Sequence, residues 1–336
     1  MILIDSVFIH TGGGLTILNY LISKLDIHKD EIFYLLDSRF SIPDHLKKNI
    51  SHYQFVSGFR ERHAFYIQNK NKFCTIFCLG NLAPPVKLEA KSITYLHSDW
   101  YVAKPIVKNP KKRFILFIKR LIFQYYASNS KFFIVQTKSM KEKFLSRNNF
   151  DENKVFIYPI FDMKIEKNSL QEKDLNSYIY VSEGYFHKNH FSLIEAFNKY
   201  TKKNPQAKLY ITVKEDLFPE IRIKLKQINN PNIINIGFVA KKILEKYYIK
   251  SNFLIFPSKQ ECFGLGLVEA IKYNCKIIAS DLDYVYDVCQ PSLTFNPYKI
   301  ESIYNALILS MNHNEVGLSS IKTSSKIDEI LDLIFE

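Results

Sequence analysis

The sequence predicts an α/β protein of two domains, each a doubly wound parallel sheet. Three observations carry this. Short apolar runs alternate with helix-length amphipathic segments along nearly all of the 336 residues, the rhythm of successive βαβ units. Several runs lead into glycine, asparagine or histidine, residue types suited to the ligand-facing loops at the carboxyl edge of such sheets. The charge balance also changes once along the chain. Residues 1–160 hold 24 Lys and Arg against 12 Asp and Glu, and subtraction from the totals of 46 and 33 leaves 22 against 21 for residues 161–336. The net charge of +13 therefore resides almost wholly in the first half. The predicted domains are 1–160 and 161–336, with the option that a last helix packs back on the first.

Residues 2–9 predict the opening strand. His10, Thr11, Gly12, Gly13 and Gly14 read as a turn, and LTILNYLISKL as a helix with Leu15, Leu18, Leu21, Ile22 and Leu25 on one face. Strand, glycine turn and helix is a general phosphate-approach unit. No G-x-G-x-x-G is present, so a nicotinamide dinucleotide has no support. Phe33–Leu36, His52–Val56, Phe73–Leu79 and Ile93–Leu96 predict further strands; GNLAPP follows the third, and His97 stands at the end of the fourth. Carboxyl ends of parallel strands share an edge, so Gly12–Gly14, Asn81 and His97 are expected near one another. Taken alone, a histidine such as His97 is most often a satisfied structural residue.

Lys104–Phe133 differs from the rest. A basic run, NPKKR, leads into a helix-length segment that is apolar and aromatic nearly all round, broken by Lys119, Arg120 and Gln124. One reading is a core helix with a basic end. The other is a membrane-surface contact, with Lys111, Lys112, Arg113, Lys119 and Arg120 on anionic headgroups and aromatics entering the interface. Phe132–Gln136 then predicts a strand and Thr137–Arg147 a helix. Val155–Asp162 and the polar residues to Asn176 predict a linker.

The second half restarts with a strand at Tyr178–Val181, then SEGYFHKNH, then a helix, FSLIEAFNKY. Lys188 stands just before that helix, where an ammonium and a helix N-terminus can meet the same phosphate. Strands at Lys208–Val213 and Ile233–Phe238 alternate with helices at Glu220–Gln227 and Ala240–Tyr248. Phe253–Phe256 predicts a buried strand stopped by Pro257 and Ser258. Gly264 and Gly266 allow a tight loop before a helix at Leu265–Tyr273, and Cys275–Asp281 predicts the next strand. Glu261 precedes that helix and Glu269 lies two turns into it. Carboxylates flanking a phosphate-ready helix start suit a sugar nucleotide, whose hydroxyls want acceptors and whose pyrophosphate wants donors. Helices at Ile300–Met311 and Ile327–Phe335 close the chain.

The order PS, E-x-FG, LVEA and a hydrophobic run ending in ASD resembles the E-x7-E donor segment of retaining GT-B glycosyltransferases, family 4 of the sugar-transferase classification. The glycine run after the first strand, GN-x-x-P before a strand ending in histidine, and the lysine-Gly/Asn signature at Lys188-Asn189 are similar to that family too. The resemblance implies two Rossmann-like domains facing across a cleft. It implies retaining transfer of a hexose or N-acetylhexosamine from a UDP- or GDP-linked donor to a glycan or polyprenyl-linked acceptor, in surface polysaccharide synthesis. No metal and no cofactor beyond the nucleotide sugar is expected. His97, on the sugar 6-hydroxyl, and Glu261 take the catalytic roles in this reading. Gly13, Gly14, Lys188, Asn189, Glu261, Phe263, Gly264, Leu265 and Glu269 bind the donor, with Glu269 on the ribose. One position departs: many relatives carry arginine five residues before the lysine, where this chain has Glu183. Asp281-Leu282-Asp283 spells the metal signature of a different sugar-transferase fold and is read as incidental.

Two other functions stay open: a GT-B sugar-nucleotide epimerase, and a basic nucleic-acid binder, which lacks any recognition motif. Five scattered cysteines make no disulfide framework and suggest reduced core thiols. No apolar run reaches the eighteen or so residues that span a bilayer, and ILIDSVFI after Met1 reads as a strand rather than a leader. The expected location is cytoplasmic, on the inner face of the membrane.

Overall fold

A computed structural model describes residues 1–102, 106–107, 109–163 and 172–336, and of Lys112 only the backbone. Lys104, part of the basic approach to the aromatic helix, and residues 164–171 of the expected linker lie outside the described residues. The chain divides into two compact units. The first comprises Met1–Pro105, Asn109–Asp162 and Ser324–Glu336; the second comprises Ile106–Lys108 and Met163–Thr323.

In the first unit the elements are β1 (Ile2–Ser6), α1 (Gly12–Lys24), β2 (Ile32–Asp37), β3 (His52–Val56), α2 (Gly58–Gln68), β4 (Thr75–Cys78), β5 (Lys91–Tyr95), α3 (Pro110–Ala127), β6 (Phe132–Val135), α4 (Lys138–Leu145) and β7 (Val155–Ile157). The second unit runs β8 (Asp174–Tyr180), α5 (His190–Thr201), β9 (Lys208–Ile211), α6 (Pro219–Ile228), β10 (Ile233–Asn235), α7 (Lys241–Lys250), β11 (Ser251–Phe256), α8 (Leu265–Lys272), β12 (Lys276–Ser280), α9 (Asp283–Val288), β13 (Cys289–Gln290), β14 (Leu293–Phe295), α10 (Ile300–Leu309) and β15 (Ser320–Ile321). The last helix, α11 (Ile327–Phe335), belongs to the first unit.

The first sheet has the order β3-β2-β1-β4-β5-β6-β7 and the second β10-β9-β8-β11-β12-β14, with parallel pairing throughout both. Each order reverses direction at its first strand, which defines a topological switch point at the ends of β1 and β4, and of β8 and β11. The central strands β1, β4 and β11 are buried along their whole length, so they read as continuous apolar runs rather than alternating ones, whereas the edge strand β3 is exposed at four of its five residues. In β1, Ile2 and Ile4 join the core under α1 and α11, while Leu3 joins the one under α2. Helix α11 enters the first core through Ile327, Ile330 and Ile334, and Lys326 N–H donates to the Pro159 carbonyl to start it.

Several boundaries differ from the sequence reading. Gly12–Gly14 form the first turn of α1 rather than a turn before it, because Thr11 is extended (φ −149°, ψ 167°) and occupies the cap position. Val155–Ile157 is a paired strand at one edge of the first sheet, and not linker. Three residues are too few to show a period, so only the neighbouring strand β6 reveals it. Helix α2 also escapes the pattern, since its inward face is Arg62, Phe65 and Tyr66; a buried arginine erases the apolar stripe.

Candidate active site

At the carboxyl edge of the first sheet, Asn81 and His97 meet. Asn81 follows β4 and His97 follows β5, adjacent strands in register, so their ends lie side by side. Asn81 Nδ2 stands 2.8 Å from His97 Nε2, and Asn81 Oδ1 accepts from the backbone N–H of His97 (2.7 Å) and of Ser98 (2.8 Å). Gly14 touches the same ring: a Cβ there would lie 2.8 Å from His97 Cε1. Gly14 is thus required by contact with the histidine, while Gly13 is exposed on the first turn of α1. Burial pushes the His97 imidazole down to about 4, with the Leu79 and His97 carbonyls acting the other way, so the ring is neutral at pH 7.

In the second unit, the turns after β8 and β11 converge. Lys188 Nζ donates to Glu261 Oε1 at 2.6 Å, with side chains 20% and 12% exposed. The backbone around this pair is held by donors from β8, from the loop after β11 and from α9. Tyr180 Oη donates to the Lys188 carbonyl (2.8 Å), Lys259 N–H to the His187 carbonyl (2.8 Å), and Tyr284 Oη to the Ser258 carbonyl (2.8 Å). Gly264, left-handed at φ 84°, precedes α8. The first N–H groups of a helix have no acceptor within it; Leu267 N–H turns back to the Gly264 carbonyl (2.9 Å), which leaves those of Leu265 and Gly266 to open at the end of the loop that carries Glu261. Phe263 is buried beneath the loop. Glu269, about one turn into α8, accepts from Tyr248 Oη at 3.2 Å. Burial raises its carboxyl above the usual range, against the Tyr248 hydrogen bond and the charges of Lys241 and Lys272.

Asn189 is held by the protein's own carbonyls. Its side chain is buried and donates through Nδ2 to the Pro297 carbonyl (2.8 Å), and its N–H donates to the Phe186 carbonyl (3.2 Å). Its φ of 63° explains a Gly-or-Asn preference as a left-handed backbone requirement. Glu183 is exposed and its charge acts on Tyr185. Asp281 accepts from Tyr286 Oη (2.6 Å) and Asp283 opens α9. Among the described residues no group of three or more His, Cys, Asp or Glu could hold a metal ion. Of the cysteines, Cys74 is exposed and Cys78, Cys262, Cys275 and Cys289 are buried. Tyr180, Tyr248 and Tyr284 were not singled out by the sequence, since each sits in an ordinary strand or helix pattern and only the fold aims its hydroxyl.

Helix α3 carries two apolar stripes. Leu116, Phe123 and Ala127 are buried and Arg120 is half-buried in the same stripe, with Phe123 packed on Phe133 and Phe144. Phe114, Ile118, Leu121 and Tyr125 repeat the same spacing two residues out of step, about 200° around the helix, and are 39–77% exposed. The core-helix reading therefore accounts for one face only. Lys111, Arg113 and Lys119 are exposed, whereas Arg120 turns inward beside Arg147 and is not on the outer face. The Lys112 side chain lies outside the described residues. No described helix is long and apolar enough to cross a membrane.

Comparison with known proteins matches residues 162–316 to the family model "Glycosyl transferases group 1". An uncharacterized glycosyltransferase of Methanocaldococcus jannaschii is 24% identical over 172 residues, 48% of this chain and 42% of that protein. An uncharacterized 41.2 kDa protein in the cps region of Klebsiella pneumoniae is 33% identical over 69 residues, 20% of this chain and 19% of the other. The chain thus spans less than half the length of these two relatives. Among solved structures, Anabaena HepE in complex with UDP and glucose superposes with a TM-score of 0.70 at 12% identity, covering 97% of this chain and 92% of that one. The apo lipopolysaccharide outer core galactosyltransferase WaaB gives 0.61 at 14% identity, covering 99% and 94%. Two parallel-sheet α/β domains are the fold that the resemblance implied, and these structures share it.

Proposed function

We propose, from the match of residues 162–316 to the family model of glycosyl transferases group 1, that the protein is a metal-independent, retaining glycosyltransferase. It moves a hexose or N-acetylhexosamine from a UDP- or GDP-linked donor to a glycan or polyprenyl-linked acceptor in surface polysaccharide synthesis. The observation that carries the reading is the Lys188–Glu261 pair just ahead of α8, with Glu269 about one turn into that helix. In this scheme Lys188 and the first N–H groups of α8 take the pyrophosphate charge as the sugar departs. Glu269 accepts from the ribose hydroxyls, Glu261 contacts the transferred sugar, and His97 contacts its 6-hydroxyl. The leaving diphosphate is stabilised by protein donors, so no step requires a cation. Retention by front-face departure is preferred because double displacement needs a carboxylate nucleophile beneath the anomeric carbon.

The exposed stripe of α3 supports attachment to the anionic inner face of a membrane. Lys111, Arg113 and Lys119 lie beside it, and each such cation near an anionic surface contributes about 1 kcal/mol. The aromatics add an apolar contribution that salt does not screen.

A thermal-shift panel of UDP, GDP and their sugars tests the donor, since a ligand at a hundred times its dissociation constant adds about 2.7 kcal/mol. NMR of the product anomer tests retention, and turnover in EDTA tests metal independence. Product formed from nucleotide sugar without any acceptor would favour the epimerase reading instead. Vesicles of phosphatidylglycerol test attachment: Lys111, Arg113 and Lys119 changed together to glutamine should release the protein. A wild-type chain indifferent to these vesicles at low salt would end the membrane assignment.

A further inference from the structure

Asn81 is buried and left-handed (φ 64°), and none of the roles above uses it. Its hydrogen bonds nevertheless decide the state of His97. Oδ1 accepts from two backbone N–H groups, those of His97 and Ser98. A backbone N–H only donates, so this end of the amide must be oxygen and the end facing His97 Nε2 must be the NH2. That NH2 donates across 2.8 Å, which leaves Nε2 holding a lone pair and puts the single proton of the neutral ring on Nδ1.

The turn carrying Asn81 cannot drift. Arg62 Nη2 donates to the Leu82 and Ala83 carbonyls, both at 3.0 Å, while its Nε donates to Asp5 Oδ2 at 2.7 Å in a buried pair. A Cβ on Gly80 would stand 2.2 Å from the Val7 carbonyl oxygen, so the turn lies flat on the loop after β1. On the other side, Gly14 closes against the edge of the ring that holds Cε1.

We propose that Asn81 is a positioning residue that holds His97 as the neutral Nδ1–H tautomer, so that His97 serves the sugar as a fixed polar contact and not as a proton donor at Nε2. The consequence for the reaction rests on the assignment of His97 to the sugar; the tautomer itself does not.

The test is long-range proton–nitrogen NMR of the ring-labelled protein at about pH 8, where histidine is ordinarily neutral. A His97→Gln spectrum identifies the signal among the nine histidines. The wild type should show Nδ1 protonated and Nε2 bare. Asn81→Asp keeps an oxygen for both backbone N–H groups and tolerates the left-handed turn, but it sets a carboxylate against Nε2. The proton should then move to Nε2, and kcat should fall about 10²-fold, the scale of one misplaced polar group, with donor KM nearly unchanged. If that variant does not fold, Asn81→Gly keeps the turn, removes the amide and should show both tautomers. A wild-type Nε2–H signal overturns the proposal. So does an aspartate variant that keeps the wild-type tautomer, or one that changes it without loss of turnover. A chain that transfers no sugar from any UDP- or GDP-linked donor sinks the enzymatic reading, and the spectrum still decides the tautomer.

Discussion

Changing Lys188 to methionine keeps most of the stem and removes the cation from Glu261. The ammonium lies 2.6 Å from Oε1, and the two side chains are 20% and 12% exposed. Removing one member of a fully buried pair costs about 3–5 kcal/mol. Solvent reaches a fifth of Lys188, which brings the expected loss of stability to about 2 kcal/mol. Glu261→Gln should cost a similar amount alone, and the double variant about 1–2 kcal/mol less than the sum. Nucleotide binding should separate the two residues. Lys188→Met loses a charge-assisted contact to the diphosphate and should weaken UDP or GDP about 10- to 100-fold. Glu261→Gln frees the lysine from a competing carboxylate, so nucleotide affinity should hold or rise by up to about tenfold. Urea titrations and calorimetry with UDP and GDP measure both. Equal weakening of nucleotide binding by the two variants would show that the pair is a structural contact without a phosphate role, and coupling near zero would show that it contributes no stability.

Alanine at Gly14 would ordinarily help a helix by about 1 kcal/mol, but its Cβ meets a histidine ring already held by Asn81. Overpacking at about 1–3 kcal/mol should reverse the sign, and thermal melting would read a loss; a gain in Tm would show that His97 moves freely. Glu269→Gln keeps shape and loses the charged acceptor, so donor KM should rise more than kcat falls, by about 1 kcal/mol or more. An unaltered donor KM would remove Glu269 from the ribose. The third concerns acid. His190 is 1% exposed, and burial, helped by Lys188 and His187, pushes it down to about 3. Below the ordinary value near 6.5 the unfolded chain takes up a proton that the folded chain refuses, so stability is whole above pH 6.5 and falls as pH drops toward 3. His190→Phe should flatten this limb, by about 2–3 kcal/mol at pH 4.5. Parallel stability–pH curves for the two proteins would contradict the burial argument.

The sequence by itself determined the βαβ rhythm and the α8 segment. Apolar runs at Phe253–Phe256 and around Ile277 are long enough to be strands, and Gly264 marks a turn on its own. It also predicted Asn81 and His97 near one edge, because parallel strands in order bring their ends together. Tertiary structure decided the rest. Val155–Ile157 is a strand only because Phe133–Val135 pairs with it. The Asn189 side chain bonds to Pro297, a residue 108 positions away that no local pattern connects to it. The Lys188–Glu261 pair spans 73 positions and the Asn81–His97 bond 16. Local propensity acts over a few neighbouring residues, whereas a hydrogen bond needs its two atoms within about 3 Å. Only the folded sheets bring together atoms so far apart along the chain, and with them the orientation of each amide and each ring.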